Sequence, residues 1–324
     1  MAGDAERDAG EAVAGGLRAH VRGTVRTGEP LAGHTTLRIG GPAALFVVAA
    51  DEADVAATLG WARASGRPLR ILGLGSNLLC PDEGFDGLIL DLSAACGGVR
   101  WEGDRVEAGA GVHLARLLQE AARRGLSGLE GVAGVPGTVG GALAMNAGTA
   151  AGDFGAVVES VRAMAPDGTA ETIPAAQMGF RYRGSRIADE GLVALGAVLR
   201  LRPANPEDVR RDLAGRAVRR RRTQPTHLPS AGSIWRNPPG DFAGRLIEAC
   251  GCKGLRRGDA EVSPQHANFI VNLGRATAAD VLGLMAAVRS RVEAHSGVRL
   301  HPELRWLLGQ EQLEALLEQG GPPA

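Results

Sequence analysis

The residues of this chain best suited to chemistry are of two kinds: glycine loops able to close around an anion, and three isolated polar side chains able to handle charge and protons. The first loop runs from Gly131 to Gly148, GVAGVPGTVGGALAMNAG, with glycines at 131, 134, 137, 140, 141 and 148 around Pro136. Glycine lets the backbone enter left-handed conformations and bring N–H groups up to phosphate oxygens with no Cβ in the way. Pro136 is expected at the first position of a short helix, whose N-terminus would add a favourable dipole. The second loop, Gly73-Leu74-Gly75-Ser76-Asn77, follows an apolar run at 69–72 that reads as a buried strand. Neither a triphosphate P-loop, with its lysine, nor a complete GxGxxG dinucleotide fingerprint is present. Two separated loops suggest an extended pyrophosphate; tight interdomain packing is the alternative for either loop alone.

Three polar spots could carry the reaction. Arg183 follows Tyr182, the single tyrosine of the chain, and could hold a carboxylate or phosphate by paired hydrogen bonds, or simply form a surface salt bridge. Ser233, in AGSIWRNP, reads as a serine on a tight turn leading into a strand, with no GxSxG elbow around it; a structural turn serine is the alternative. Glu303, in PELR, falls in an apolar closing strand, where burial would raise its pKa and let it donate a hydrogen bond; an outward-facing strand residue is the alternative.

These residues need a scaffold, and the chain reads as alternating elements. Strands are expected at 45–49, 69–72 and 88–92, with a helix at 52–65 between the first two. Residues 99–108 form a hairpin turning at Gly103-Asp104, and 157–173 another at Pro166-Asp167-Gly168, with a further strand at 192–201. A helix at 112–124 carries Leu114, Leu117, Leu118 and Ala121 on one face. Asn205 and Pro206 open a helix after a boundary at 203–206, and the Arg219 to Arg222 run reads as its solvated end. Thr277 and Asp280 form a capping-box-like pair ahead of an apolar stripe from Val281 to Val292.

Composition sets outer bounds. The chain has 324 residues, 44% hydrophobic, and a formal net charge of zero, which argues against nucleic acid or an anionic membrane as the main partner. Cysteines at 80, 96, 250 and 252 lack zinc-site spacing or a disulfide framework, so no metal is expected and a reducing cytoplasm is the natural compartment. No apolar run approaches the roughly 18 residues that span a bilayer.

Taken in order, Thr36 to Ala43 (TLRIGGPA), the GLGSN loop, GVPGTVGGALAMNAG, FRYRGSRI, AGSIWRNP, Cys250 to Asn272 and the terminal PELR resemble the motif series of UDP-N-acetylenolpyruvoylglucosamine reductases, also called UDP-N-acetylmuramate dehydrogenases, over residues 34–305. The resemblance implies an α+β fold. An FAD-binding module of the vanillyl-alcohol-oxidase (PCMH) type would occupy two subdomains, 18–85 and 86–202. A C-terminal α/β substrate-binding domain would follow at 203–310, with a disordered N-terminal extension at 1–17 and a C-terminal extension at 311–324 carrying a short amphipathic helix. It implies that FAD is held by Arg38, by Gly73, Gly75, Ser76, Asn77 and Leu78, and by Gly131, Gly134, Val135, Pro136, Gly137, Thr138, Gly140, Gly141 and Asn146.

The same resemblance implies a reaction of peptidoglycan precursor synthesis in which NADPH reduces the flavin and leaves. The enolpyruvyl sugar nucleotide then enters, and hydride passes from flavin N5 to C3 of its double bond. Arg183 and Glu303 would stabilise the negative charge that builds on the carboxylate, and Ser233 would deliver a proton to C2. Tyr182 and Asn237 are expected to orient the UDP-sugar. A monomer is expected. An FAD-dependent oxidase of the same flavin fold, acting on a small alcohol or sugar, is the rival enzyme, and a ligand-binding regulator without turnover is the rival of another class. Arg181, Trp235 and Arg236 depart from the family's usual residues. The interval from Arg186 to Leu192 is too short for the substrate-covering loop of one family branch, which points to the other, short-loop branch.

Overall fold

The computed structural model describes residues 14–321. They divide into two compact units interleaved along the chain: one takes the residues up to 29, then 44–73 and 86–218, and the other takes 30–43, 74–85 and the chain from 219 onward. In the first unit, strands lie in the order Thr24–Pro30, Pro42–Val48, Phe85–Asp91 and Leu69–Leu72, the last two parallel with Leu69 opposite Leu88. A second sheet orders Ala170–Pro174, Val158–Met164, Val193–Arg200, Arg105–Gly109 and Val99–Glu102, antiparallel throughout, with both expected hairpins in place.

Helix Glu52–Ser65 coincides with its expected span. Asp51 caps its N-terminus by accepting from Asp54 N–H, and Gly66 ends it in the left-handed conformation. Helix Leu114–Arg123 buries Leu114, Leu117, Leu118, Ala121 and Ala122, the stripe that its 3.6-residue period places on one face. Residues 14–18 are helical rather than disordered, because Ala14 and Leu17 are fully buried in this unit's core and that burial offsets the cost of ordering them. The rest of the N-terminal stretch expected to be disordered, residues 1–13, and the final 322–324 lie outside the described residues.

The second unit is built on an antiparallel sheet ordered Ser230–Ser233, Phe269–Asn272, Ala260–Val262 and Arg256–Arg257. It has its own core, where helix Ala278–Ser296 contributes Val281, Leu284, Met285, Val288 and Val292. The Thr277–Asp280 capping box is present, and Asp82 adds a second cap: its two carboxylate oxygens accept from the N–H groups of Ala278 and Ala279 at 2.8 and 3.1 Å. Strand Arg305–Trp306 pairs in parallel with Leu78–Leu79. A terminal helix, Gln310–Glu318, buries Leu313 and Leu317.

Candidate active site

In the first unit the long glycine loop wraps closely on itself and on its neighbours. A Cβ on Gly131 would overlap the Gly152 carbonyl, and one on Gly73 would lie 2.8 Å from Thr138 Oγ1. The helix that follows is Val139–Met145, with Thr138 rather than Pro136 at its N-cap. The expectation for Pro136 is therefore corrected: Thr138 has the extended backbone of a cap, and its hydroxyl accepts from Gly141 N–H at 3.3 Å. The helix N-terminus is also not the open anion site that was expected. Val139 N–H donates to Val112 at 2.9 Å and Gly140 N–H to Ala110 at 2.8 Å, so the first-turn donors are spent on the fold. Among the described residues, the donors left over lie just upstream, on Gly134, Gly137 and Thr138, and Gly134 is exposed. Backbone N–H groups that the fold does not use are the kind of donor a phosphate can take up.

The same unit positions Arg183. Its guanidinium lies over the Tyr182 ring, 5.0 Å from the centroid, and Nη1 donates to the Gly148 carbonyl at 3.3 Å. Tyr182 itself is 53% exposed. Ser185, fully buried, roots the segment by donating from Oγ to the Leu143 carbonyl at 2.7 Å. Asn146 caps the C-terminus of helix Val139–Met145; its Oδ1 accepts from Gly155 N–H at 2.9 Å and its Nδ2 donates to the Arg181 carbonyl at 3.3 Å. This amide ties the glycine loop to the arginine segment and is only 4% exposed.

In the second unit Gly75 has φ of +56°, and a Cβ there would overlap the His34 carbonyl, so this tip of the GLGSN loop admits only glycine. Thr36 N–H donates to the Gly75 carbonyl at 3.3 Å while Thr36 Oγ1 donates to the Ser230 carbonyl at 2.7 Å, which joins the loop to the serine strand. Ser233 ends strand Ser230–Ser233, opposite Phe269, after a register shift. It sits at the end of a strand rather than on the turn expected before one.

Glu303 stands outside the strands, between the Trp235–Pro302 bridge and strand Arg305–Trp306, and is 9% exposed, which rules out an outward-facing strand residue. Its N–H donates to the Ile234 carbonyl at 2.8 Å. Asn77 Nδ2 donates to the Glu303 carbonyl at 3.1 Å, and Asn77's own carbonyl accepts from Arg305 N–H at 3.0 Å. The structure thus brings Ser233, Glu303 and Asn77 together in one unit. Asn237, exposed, uses Oδ1 to accept from Ala243 N–H at 3.1 Å at the start of helix Ala243–Ala249.

Residues with no expected role hold this arrangement. Asn268 clamps Trp235 from both sides, Oδ1 accepting from its N–H at 2.9 Å and Nδ2 donating to its carbonyl at 2.8 Å. Burial pushes the His266 imidazole below its ordinary pKa. The neutral ring accepts at Nδ1 from Asn268 N–H at 3.3 Å, so its proton sits on Nε2. Burial also pushes the Cys80 thiol up to about 12, which makes it a packing residue and not a nucleophile. Asn268 and His266 stand inside a motif the sequence does mark, HANFIVN, but nothing in their spacing tells a clamp from a loop residue.

Left-handed backbone at non-glycine residues falls on candidate positions in each unit. The non-glycine residues with positive φ among those described are Arg38 at 57°, Asn146 at 41° and Arg183 at 57°, each already a candidate from the sequence. Such conformations cost roughly 1–3 kcal/mol apiece and persist where surrounding contacts enforce them, typically at functional positions.

Comparison with known proteins agrees with this geometry. Residues 224–307 match the C-terminal domain of UDP-N-acetylenolpyruvoylglucosamine reductase, and residues 43–173 match an FAD binding domain. UDP-N-acetylenolpyruvoylglucosamine reductase 2 of Symbiobacterium thermophilum is 46% identical over 291 residues, covering 89% of this chain and 94% of the relative. The chain belongs to the UDP-N-acetylenolpyruvoylglucosamine reductase family.

The reductase of an Anaeromyxobacter species is likewise 46% identical, over 93% of this chain and 94% of its own length. The crystal structure of the Thermus caldophilus reductase superposes with a TM-score of 0.74 at 38% identity, covering 88% of this chain and 98% of that one. The family uses FAD and NADPH, and the FAD binding domain of this chain covers residues 43–173. No helix among the described residues is long and apolar enough to cross a membrane.

Proposed function

We propose that this chain is an NADPH-dependent flavoenzyme that reduces the enolpyruvyl group of UDP-N-acetylglucosamine enolpyruvate to give UDP-N-acetylmuramate, acting in the cytoplasm as a monomer. The observation that carries the reading is the pairing of Glu303 N–H with the carbonyl of Ile234, which sets a buried acid against the residue after Ser233. The three-part division at 18–85, 86–202 and 203–310 remains our reading of how the work is shared.

Bound FAD, reduced by NADPH, supplies the reducing equivalent to the double bond; the protein's task is to manage the charge and proton that go with it. Reduction next to a carboxylate piles negative charge onto that group. Arg183, braced by Tyr182 and Gly148, would pair with the carboxylate through two charge-assisted hydrogen bonds. Glu303 would donate a third in its protonated form. Ser233 would give its hydroxyl proton to C2; a hydroxyl is a weak acid, but the enolate-like species it meets is a strong base. Tyr182 and Asn237 would orient the sugar nucleotide. On the cofactor side, we assign contacts to Arg38, to Gly73 and Gly75 to Leu78, and to Gly131, Gly134 to Thr138, Gly140 and Gly141, with Asn146 as the clamp of that loop.

The reading is tested anaerobically by reducing the purified flavoprotein with NADPH and adding UDP-N-acetylglucosamine enolpyruvate. Reoxidation without oxygen is the expected result. A flavin that stays reduced until air is admitted would make the protein an oxidase instead, and a chain that takes up no FAD would end the flavoenzyme reading.

A further inference from the structure

The segment bearing Glu303 is held at successive peptide planes by side chains distant in sequence. The plane before Glu303 is fixed by its N–H to Ile234, and the plane after it by the Asn77 amide on its carbonyl at 3.1 Å. The next plane is fixed by Gln310, whose Nε2 donates to the Leu304 carbonyl at 3.0 Å. Gln310 is the first residue of helix Gln310–Glu318, which lies beyond residue 307, where the match to the reductase C-terminal domain stops.

That helix is firmly rooted. Leu313 and Leu317 are buried in the second unit's core, Glu314 pairs with Arg289 at 2.7 Å, and Gln312 Oε1 accepts from Trp306 Nε1 at 3.3 Å. Its attachments fall on both sides of Glu303 in the chain, since Glu314 also lies 3.7 Å from His301 Nδ1. The helix therefore braces the segment 301–306 as well as covering the core.

We propose that Gln310 is a positioning residue for Glu303, acting with Asn77 through the backbone and carried on the C-terminal helix as its support. The inference rests on the role given to Glu303 above. Ile234 and Asn77 pin the planes flanking the Glu303 Cα and Gln310 pins the plane that follows, so the backbone that aims the Cα–Cβ bond is held from both ends before substrate arrives. Asn77 sits in the loop assigned to the cofactor, so its replacement would disturb two things at once. Gln310 is the clean probe.

The test uses the holoenzyme with Gln310→Leu, which keeps the bulk and removes the donor. Glu318→Gln serves as a control on the same helix, where it loosens an exposed pair with Arg299. Anaerobic stopped-flow separates flavin reduction by NADPH from reoxidation by the enolpyruvyl substrate. For Gln310→Leu we expect reduction within about twofold of wild type and reoxidation slower by about tenfold, short of the hundredfold that a displacement of about 1 Å brings. Glu318→Gln should change neither step. In a Glu303→Gln background the tenfold effect should shrink to about twofold or less, because the residue it acts through has already been disabled. An equal loss in both steps, no loss in either, or a tenfold effect that survives Glu303→Gln would overturn the positioning role. If wild-type flavin is reduced by NADPH yet never reoxidised by the substrate, the functional reading itself fails and takes this inference with it.

Discussion

The backbone N–H of Glu303 donates to the carbonyl of Ile234 at 2.8 Å, and Ile234 is the residue that follows Ser233. The main chain that carries the acid is thereby joined to the main chain that follows the serine, with Asn268 bracing Trp235 one residue further on. A side chain can be removed from either without displacing the other, so single substitutions here report on chemistry more than on folding.

Ser233→Ala should accordingly leave reduction of the flavin by NADPH nearly unchanged while slowing reoxidation by substrate about 10²- to 10⁴-fold, the usual contribution of a positioned proton donor. Rapid-mixing absorbance of the flavin under anaerobic conditions measures both steps on one sample. Loss of both in equal measure would mean that the serine supports structure and does not donate the proton.

Gly75→Ala addresses the cofactor loop. The residue has φ of +56°, and a Cβ there would overlap the His34 carbonyl and stand 2.8 Å from Thr35 Cα, so backbone must move. We expect a loss of about 1–3 kcal/mol in stability, from strain of this kind, and a lower ratio of flavin to protein absorbance after purification. Gly98→Ala, at a glycine with nothing within 4 Å, is the matched control and should retain flavin. Full flavin content in Gly75→Ala would remove this loop from the cofactor site.

Much of the scaffold was legible in the sequence because its signals are local. Helix Glu52–Ser65 is bounded by a capping aspartate and a left-handed glycine, and the hairpin turns at Gly103 and Gly168 are where turn chemistry puts them. The glycine loops were legible as loops, yet which N–H groups they leave free was not. That depends on Val112 and Ala110, distant residues that take up the helix donors. The clamps escaped for the same reason: Asn77 reaches Glu303 across 226 residues, and Asn268 reaches Trp235 across 33. No period or spacing encodes such a pairing, because it exists only after the sheet has formed.

Asp54 gives a pH dependence with a definite sign. It is almost wholly buried, which works to raise its pKa, but the N–H groups of Arg22, Ala50 and Gly23 and the nearby Arg22 charge together hold it below the ordinary 3.8. Its oxygens accept those three bonds at 2.9, 2.8 and 2.8 Å. The unfolded chain therefore binds this proton more readily than the folded one. The stabilisation is complete above the unfolded pKa of about 3.9 and is lost as pH falls through the lower folded value. Denaturation followed between about pH 6 and 2.5 should show Asp54→Asn less stable than wild type at the upper end, with the gap closing in acid. A gap that does not change with pH would mean that the carboxylate charge contributes nothing.

The support beneath Gln310 makes a separate claim about stability. Arg289 is 4% exposed and its guanidinium is matched by Glu314, whose side chain is about a third exposed. Removing one member of a buried pair costs more than the pair contributes, because the remaining charge stays out of water with no partner. Glu314→Ala should therefore destabilise the second unit by about 3 kcal/mol, the lower end of the range for broken buried pairs, since water still reaches the carboxylate. Glu314→Gln keeps an acceptor for the guanidinium and should cost less. Replacing both partners, Arg289→Met with Glu314→Leu, should recover most of the loss, because no charge is then left buried. Urea denaturation of the three variants orders them directly. If the double variant is no more stable than Glu314→Ala, the cost lies in lost packing of the C-terminal helix and not in the stranded charge of Arg289.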